Sequence, residues 1–298
     1  MNGIRSSEEK AYELVSHIVM IILSLLAFLP FWLLIAASFT EEHTAVREGY
    51  KFFPSQFSTA AYGYIFAQWA QIGRAYGVTL LVTLLGTVGS VLVIMMASYA
   101  LTQKDVPGIR IVSFLIIFTM LFNGGIVPTY LVYNNLLHVK NTIFGLLLPG
   151  LFCSAFNIVL VRSYIASNIP SALIEAAEMD GAGQFRIFSQ VIMPLSKPII
   201  ATIGLLNGVA YWNDWTNGLY YINDAKLYSI QQLLNEINNN IQYLSSNASS
   251  ISGIDTSNIP SNTVRMAIAV VAILPILCLY PFFQKYFSKG ITLGAVKG

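Results

Sequence analysis

Charge is what this 298-residue sequence has least of: only 10% of its residues are Asp, Glu, Lys or Arg. A soluble domain carries about 25%. With 55% hydrophobic residues and a mean hydropathy of +0.64, the composition excludes an ordinary soluble globule and points to the membrane. The net charge of +2 is too small for an electrostatic nucleic-acid surface. Cysteine is nearly absent. Cys153 and Cys278 lie far apart in apolar runs, which excludes a disulfide framework and predicts two small buried hydrophobes. The three histidines, His17, His43 and His138, form no metal-ligand spacing. The chain also lacks G-x-x-x-x-G-K-[ST], so it has no phosphate loop with which to hold ATP.

Long apolar runs, by contrast, are plentiful. Six segments are long enough to cross a bilayer: 17–39, 75–101, 110–132, 142–163, 197–218 and 265–284. The first follows a polar stretch, residues 1–16, and has no small-residue cleavage site, so it reads as an uncleaved first span. The fold class expected is therefore an all-α integral membrane protein with six transmembrane helices. Placing the N-terminus inside puts ten basic residues on the cytoplasmic side and six outside, which favours N-in and C-in. The segment 40–74 and the polar insert 219–263 then lie outside. The first half of that insert predicts a helix around LYSIQQLLNEINNNIQYL. The second half is Ser/Asn/Gly-rich and reads as a loop.

The interiors of spans two to six hold no ionisable residue, and Asp214 falls toward the outer end of the fifth. Carriers driven by protons or sodium keep carboxylates or histidines at membrane depth. Their absence moves the energy source elsewhere. Scattered acids such as Asp214, Asp224 and Glu236 show no partner spacing, which argues against a membrane enzyme such as a glycosyl transferase. In the third span, Asn123, Gly124, Gly125 and Pro128 predict a break or kink.

Between the fourth and fifth spans, residues 163–197 form a polar hairpin on the cytoplasmic side. Ser171 to Met179 are mostly helix formers, with Pro170 in a first turn; Asp180-Gly181 is a stop-and-turn pair; QFRIFSQVIMP starts a second helix expected to end before Pro194. Ala176, Ala177 and Ala182 give a low surface that another backbone can approach. Glu175, Glu178 and Asp180 give it charge. Phe185 and Phe188 are expected to pin the hairpin to its own membrane domain.

The stretch EAAEMDGAGQFRIFSQVIMP resembles the E-A-A-x-x-D-G-A loop of the membrane subunits of binding-protein-dependent ABC importers, with Val191 and Met193 as conservative departures. The tail YFSKGITLGAVKG resembles that of the second permease of maltose-type carbohydrate importers. FNGGIVPTYLVYNNLLHVKNTIFGLLLPGLF is similar to permeases paired with importers of complex oligosaccharides. The resemblance covers about residues 70–298. It implies a domain layout of 1–16 cytoplasmic, 17–39 first span, 40–74 extracellular, 75–290 importer membrane domain and 291–298 cytoplasmic tail.

It further implies a coupling-helix role for Glu175, Ala176, Ala177, Asp180, Gly181 and Ala182, which would dock on a separate ATPase. Thr292, Gly294 and Lys297 would reach the ATPase interface. The implied partners are a second permease subunit, two ATPase subunits and an extracellular solute-binding protein, in a bacterial cell membrane. ATP and Mg would be bound by the ATPase partners and no cofactor by this chain, a non-catalytic subunit. The implied cargo is a sugar or oligosaccharide; the alternative is a non-sugar solute such as a peptide or polyamine. Aromatic faces and amides suit a sugar path. Asn123, Asn207, Tyr211, Trp212, Asn213 and Asp214 are its candidates, although for the last four an ordinary aromatic belt at the interface fits equally.

Overall fold

The structure, a computed structural model, describes residues 7–103, 105–247 and 261–295. Helix dominates, and the described residues contain no strand beyond an isolated bridge between Thr40 and Phe57. Helices α1 (Ser7–Ser38), α2 (Glu42–Glu48), α3 (Ala60–Ala67) and α4 (Trp69–Ala100) open the chain. Next come α5 (Ile109–Leu121), α6 (Ile126–Leu131), α7 (Phe144–Leu147), α8 (Ala155–Asn168), α9 (Ser171–Met179), α10 (Gln184–Ile187) and α11 (Met193–Leu195). The last four are α12 (Lys197–Trp212), α13 (Thr216–Tyr221), α14 (Ile230–Asn247) and α15 (Ser261–Ala295). They form two compact units: Met1–Trp69 with Glu236–Leu274, and Ala70–Asn235 with Pro275–Gly298.

In the first unit, α1 exposes apolar side chains along its length, from Tyr12 to Trp32. Such a surface suits lipid and not water. Its end is tied down locally. The Ser38 hydroxyl lies 2.8 Å from that of Tyr62, and the Phe39 ring stacks on Phe57 and Tyr62 with centroids 5.3 and 4.7 Å away. Glu41 caps α2 by accepting from the amides of His43 and Thr44. The bonds from Thr44 hold the Glu41 carboxyl below the usual glutamate range. Glu42 does the same service for a distant helix. Its carboxylate accepts from the backbone and side chains of Asn262 and Thr263 at 2.7–3.1 Å, capping the first turn of α15.

In the second unit, the core gathers Ile94 and Met95 of α4, Val161 and Ile165 of α8, Ile187 of α10 and Ile203 of α12. Helix α4 is keyed into its neighbours by small residues. A Cβ on Gly86 would lie 2.5 Å from Cζ of Tyr211, and one on Gly89 2.8 Å from the Phe152 ring.

Three expected spans are not single helices. The window 110–132 breaks after Leu121: Asn123 Oδ1 accepts from the Gly125 amide at 2.9 Å, and Gly125 turns through φ +84°. The window 142–163 is split by Pro149 and by Gly150 at φ +74°, and α8 then runs on to Asn168. The window 197–218 ends its helix at Trp212, because Asp214 accepts from the amides of Thr216 and Asn217 and starts α13 afresh. By length and composition, Ala11–Ser38 and Trp69–Ala100 can each cross a membrane. A third crossing is available if Gln184–Leu195 and Lys197–Trp212, bent by 81°, count as one. Ile109–Leu121 and Asn262–Cys278 are shorter apolar helices. The cysteines also depart from expectation. Cys153 and Cys278 are both free and exposed on the isolated chain, because Cys153 lies in the open break before α8 and Cys278 on the outward side of α15.

The candidate coupling knob and the pathway residues

The knob is built by a helix stop that its sequence dictates. Asp180 ends α9 and Gly181 follows at φ +79°, a left-handed conformation that L side chains resist. The Ala182 amide then donates to the Ala177 carbonyl at 2.9 Å, and the Gly181 amide to the Glu178 carbonyl at 2.9 Å. These are the two bonds of a Schellman closure, and they satisfy carbonyls that the helix end would otherwise orphan. Ala177 and Ala182 both pack against the core of the second unit. Two of the three alanines therefore face partly inward, and only Ala176 belongs wholly to the outer surface.

A side-chain chain locks the knob to α4. The Tyr99 hydroxyl donates to Gln184 Oε1 at 2.7 Å, and Gln184 Nε2 donates to Glu178 Oε1 at 3.0 Å. Phe188 is buried and tilts against the Tyr99 ring, with centroids 5.9 Å apart, as the sequence predicts for it. Phe185 does not share that role: it is 76% exposed. It lies three positions before Phe188, where a widened π-type turn over Phe188–Ile192 begins, and there Ile187, Phe188 and Ile192 are the buried residues. The same turn carries the helix through Pro194 into α11, where the sequence suggests a stop. Pro170 stands just before α9, and Ser171 is the first helical residue.

The outward face thus combines exposed Glu175, Ala176, Asp180 and Gly181 with two large apolar groups, Met179 at 88% exposure and Phe185. Met179 and Phe185 are absent from the sequence-predicted docking residues. Their exposure is the one signal that identifies them, and periodicity alone would assign them to a core.

The candidate pathway residues do not converge. Asn207 is buried and fully engaged: its Oδ1 accepts from Asn157 Nδ2 at 3.0 Å and its Nδ2 donates to Ser90 Oγ at 2.8 Å. It ties α4, α8 and α12 together inside the unit. Tyr211 is buried over Gly86, and its hydroxyl donates to the Leu147 carbonyl at 2.8 Å. Trp212 is buried beside Tyr76. Neither ring presents a free face to a sugar or to an interfacial belt. Asp214 uses its carboxylate on the backbone of α13, and Asn123 uses its side-chain amide oxygen on the α5–α6 break. Asn213 is exposed, as Asn123 is, with its amide on the Val209 carbonyl and its Oδ1 3.4 Å from Gln231 Nε2. Thr292 and Gly294 lie in the last turns of α15, and Lys297 lies outside the described residues.

A bundle of apolar helices, broken at glycine and proline and bearing an angled two-helix knob between α8 and α12, defines a multi-pass membrane component. The chain belongs to the family described as binding-protein-dependent transport system inner membrane component, whose sequence profile matches residues 93–293. It is 36% identical over 98% of its length to the whole of the polygalacturonan/rhamnogalacturonan transport system permease protein YtcP of Bacillus subtilis. With the protein LplC of the same organism it shares 34% identity, covering 92% of this chain and 90% of that one. Among solved structures it is similar to a chain of a bacterial ABC transporter involved in the import of the acidic polysaccharide alginate. There the TM-score is 0.79 at 30% identity, over 96% of this chain and 100% of that one.

Proposed function

We propose that this protein is a permease subunit of an ATP-driven importer of sugars or oligosaccharides, forming half of the translocation path. The observation that carries the coupling role is the knob: a rigid, glycine-closed pair of helices whose outer face offers Met179 and Phe185 beside Glu175 and Asp180. Exposed apolar anchors ringed by charge are what a protein partner's pocket takes up. The partner is a separate ATPase, which binds ATP and Mg and closes on the knob. Six spans with both termini inside suit this arrangement, with the three broken apolar windows crossing as bent or re-entrant segments. The knob and the start of α14 contact opposite ends of α4, which supports opposite membrane faces for them. The layout of a first span at 17–39, an outer segment 40–74, a membrane domain 75–290 and a tail 291–298 follows from it.

A second permease subunit completes the path, and an extracellular solute-binding protein delivers the cargo. The oligosaccharide reading draws its support from the names of the similar proteins, one of which concerns polygalacturonan and rhamnogalacturonan and another the acidic polysaccharide alginate. Within this chain, Asn213 on the exposed outer side is the candidate best placed to meet sugar; Asn207, Tyr211 and Trp212 shape the wall behind it. The test is uptake by the reconstituted complex in vesicles, offered labelled uronic-acid oligosaccharides, neutral oligosaccharides and peptides. ATP-dependent entry of an oligosaccharide supports the reading. Entry of peptide alone overturns it.

A further inference from the structure

Helix α4 is tied along its length to four parts of its unit. Near its C-terminal end, Tyr99 holds the knob through Gln184 and Glu178. Beside it the Ser98 hydroxyl donates to the Ile158 carbonyl of α8 at 2.9 Å, and further up the helix Ser90 holds α12 through Asn207. Toward its N-terminal end, Thr79 is 1% exposed. Its Oγ1 donates to the Ala75 carbonyl and accepts the Ile230 amide at 2.8 Å, the first amide of α14. That amide is one of the four that a helix start leaves without an internal partner. Ser229 Oγ caps the same turn by accepting from Gln232.

From Thr79 to Tyr99 is about 30 Å of helix, the thickness of the hydrocarbon core of a bilayer. Between these ends no proline interrupts α4, and Gly86 and Gly89 are filled by the rings of Tyr211 and Phe152. An unbroken helix packed on its neighbours moves as a body, because packed interiors deform little. At each end one hydroxyl makes the directional bond to the partner: Tyr99 donates to Gln184, and Thr79 accepts from the Ile230 amide. Resting on the docking reading above, we infer that Thr79 and Tyr99 are positioning residues of a rigid relay. In it, α4 carries displacement of the knob to the start of α14, the helix of the polar insert. Spatial intermediacy alone does not establish coupling; a response of one end to an event at the other does.

The test is hydrogen exchange on the assembled complex in lipid nanodiscs, with and without a non-hydrolysable ATP analogue and magnesium. The readouts are the knob amides, 171–187, and the first amides of α14, 230–235. Both should change on nucleotide addition in the wild type, the α14 amides by about 2-fold or more. In Thr79→Val the knob should still respond and the α14 response should vanish; Thr79→Ser, which keeps the hydroxyl, should retain it. Tyr99→Phe should leave nucleotide binding intact and weaken the α14 response at least as much as that of the knob. An α14 segment silent in the wild type, or one that still responds in Thr79→Val, overturns the relay. A knob that ignores nucleotide in the wild type overturns the docking reading and the relay with it. A nucleotide-dependent difference is the required readout, since simple loss of a helix cap would raise α14 exchange equally in both conditions.

Discussion

Replacing Gly181 separates a conformational role from a steric one. A Cβ at this position would meet nothing within 4 Å, so added bulk has room. The backbone, however, sits at φ +79°. A left-handed conformation costs an L residue with a Cβ about 1–2 kcal/mol, more for a β-branched one, and little for Asn. The alternative is to leave that conformation, which breaks the Gly181–Glu178 and Ala182–Ala177 bonds. Either route lowers the population of the closed knob by about 5–30-fold for a penalty of 1–2 kcal/mol. Stimulated ATP hydrolysis, measured at limiting ATPase subunit, should therefore fall in the order Gly181→Asn, Gly181→Ala, Gly181→Val, with Val at least tenfold down and membrane insertion unchanged. Gly183 has φ −69° and equally open surroundings, so Gly183→Ala is the matched control and should be silent. Equal effects of Gly181→Ala and Gly183→Ala, or full activity in Gly181→Val, would refute the reasoning.

Three further outcomes follow from the packing. Gly86→Ala places a Cβ 2.5 Å from the Tyr211 ring, which its hydroxyl bond to Leu147 prevents from swinging aside. Overpacking of this kind costs about 1–3 kcal/mol, and adding Tyr211→Leu should recover part of the lost thermal stability of the purified complex. Asn207→Leu removes two interhelical bonds and should cost about 1–2 kcal/mol in thermal unfolding, without changing the apparent affinity for transported sugar. A large rise in that affinity constant would restore Asn207 to the pathway. Deleting Ile291–Gly298 should leave assembly intact and lower substrate-stimulated ATP hydrolysis; equal rates with and without the tail would make it dispensable.

Much of the fold was legible because hydropathy and turn chemistry agree. The first span and α4 are uninterrupted apolar runs, and α14 follows the amphipathic half of the insert closely. The knob was legible because Asp180-Gly181 can close a helix in few other ways. The breaks at Gly150 and Asp214 were harder to see. A window of twenty residues averages over one proline or one carboxylate, while the backbone is redirected by that single residue. The packing engagement of most pathway candidates was hidden for a different reason. Asn207 reads as a polar group at membrane depth, and its partners Ser90 and Asn157 lie 117 and 50 residues away. Nothing local distinguishes an amide that faces a pore from one that staples three helices. Met179 and Phe185 were overlooked for the mirror-image reason, since an apolar side chain on a short helix reads as core until its exposure is measured.

The central claim is that the outward face of the knob engages a separate ATPase. A photo-crosslinking amino acid placed at Phe185, in the complex assembled in native membranes, tests it directly. The expected product is a covalent adduct with the ATPase subunit, formed before and after nucleotide addition and lost when Gly181→Val is combined with it. Adducts with lipid or with the extracellular solute-binding protein, and none with the ATPase, would contradict the account.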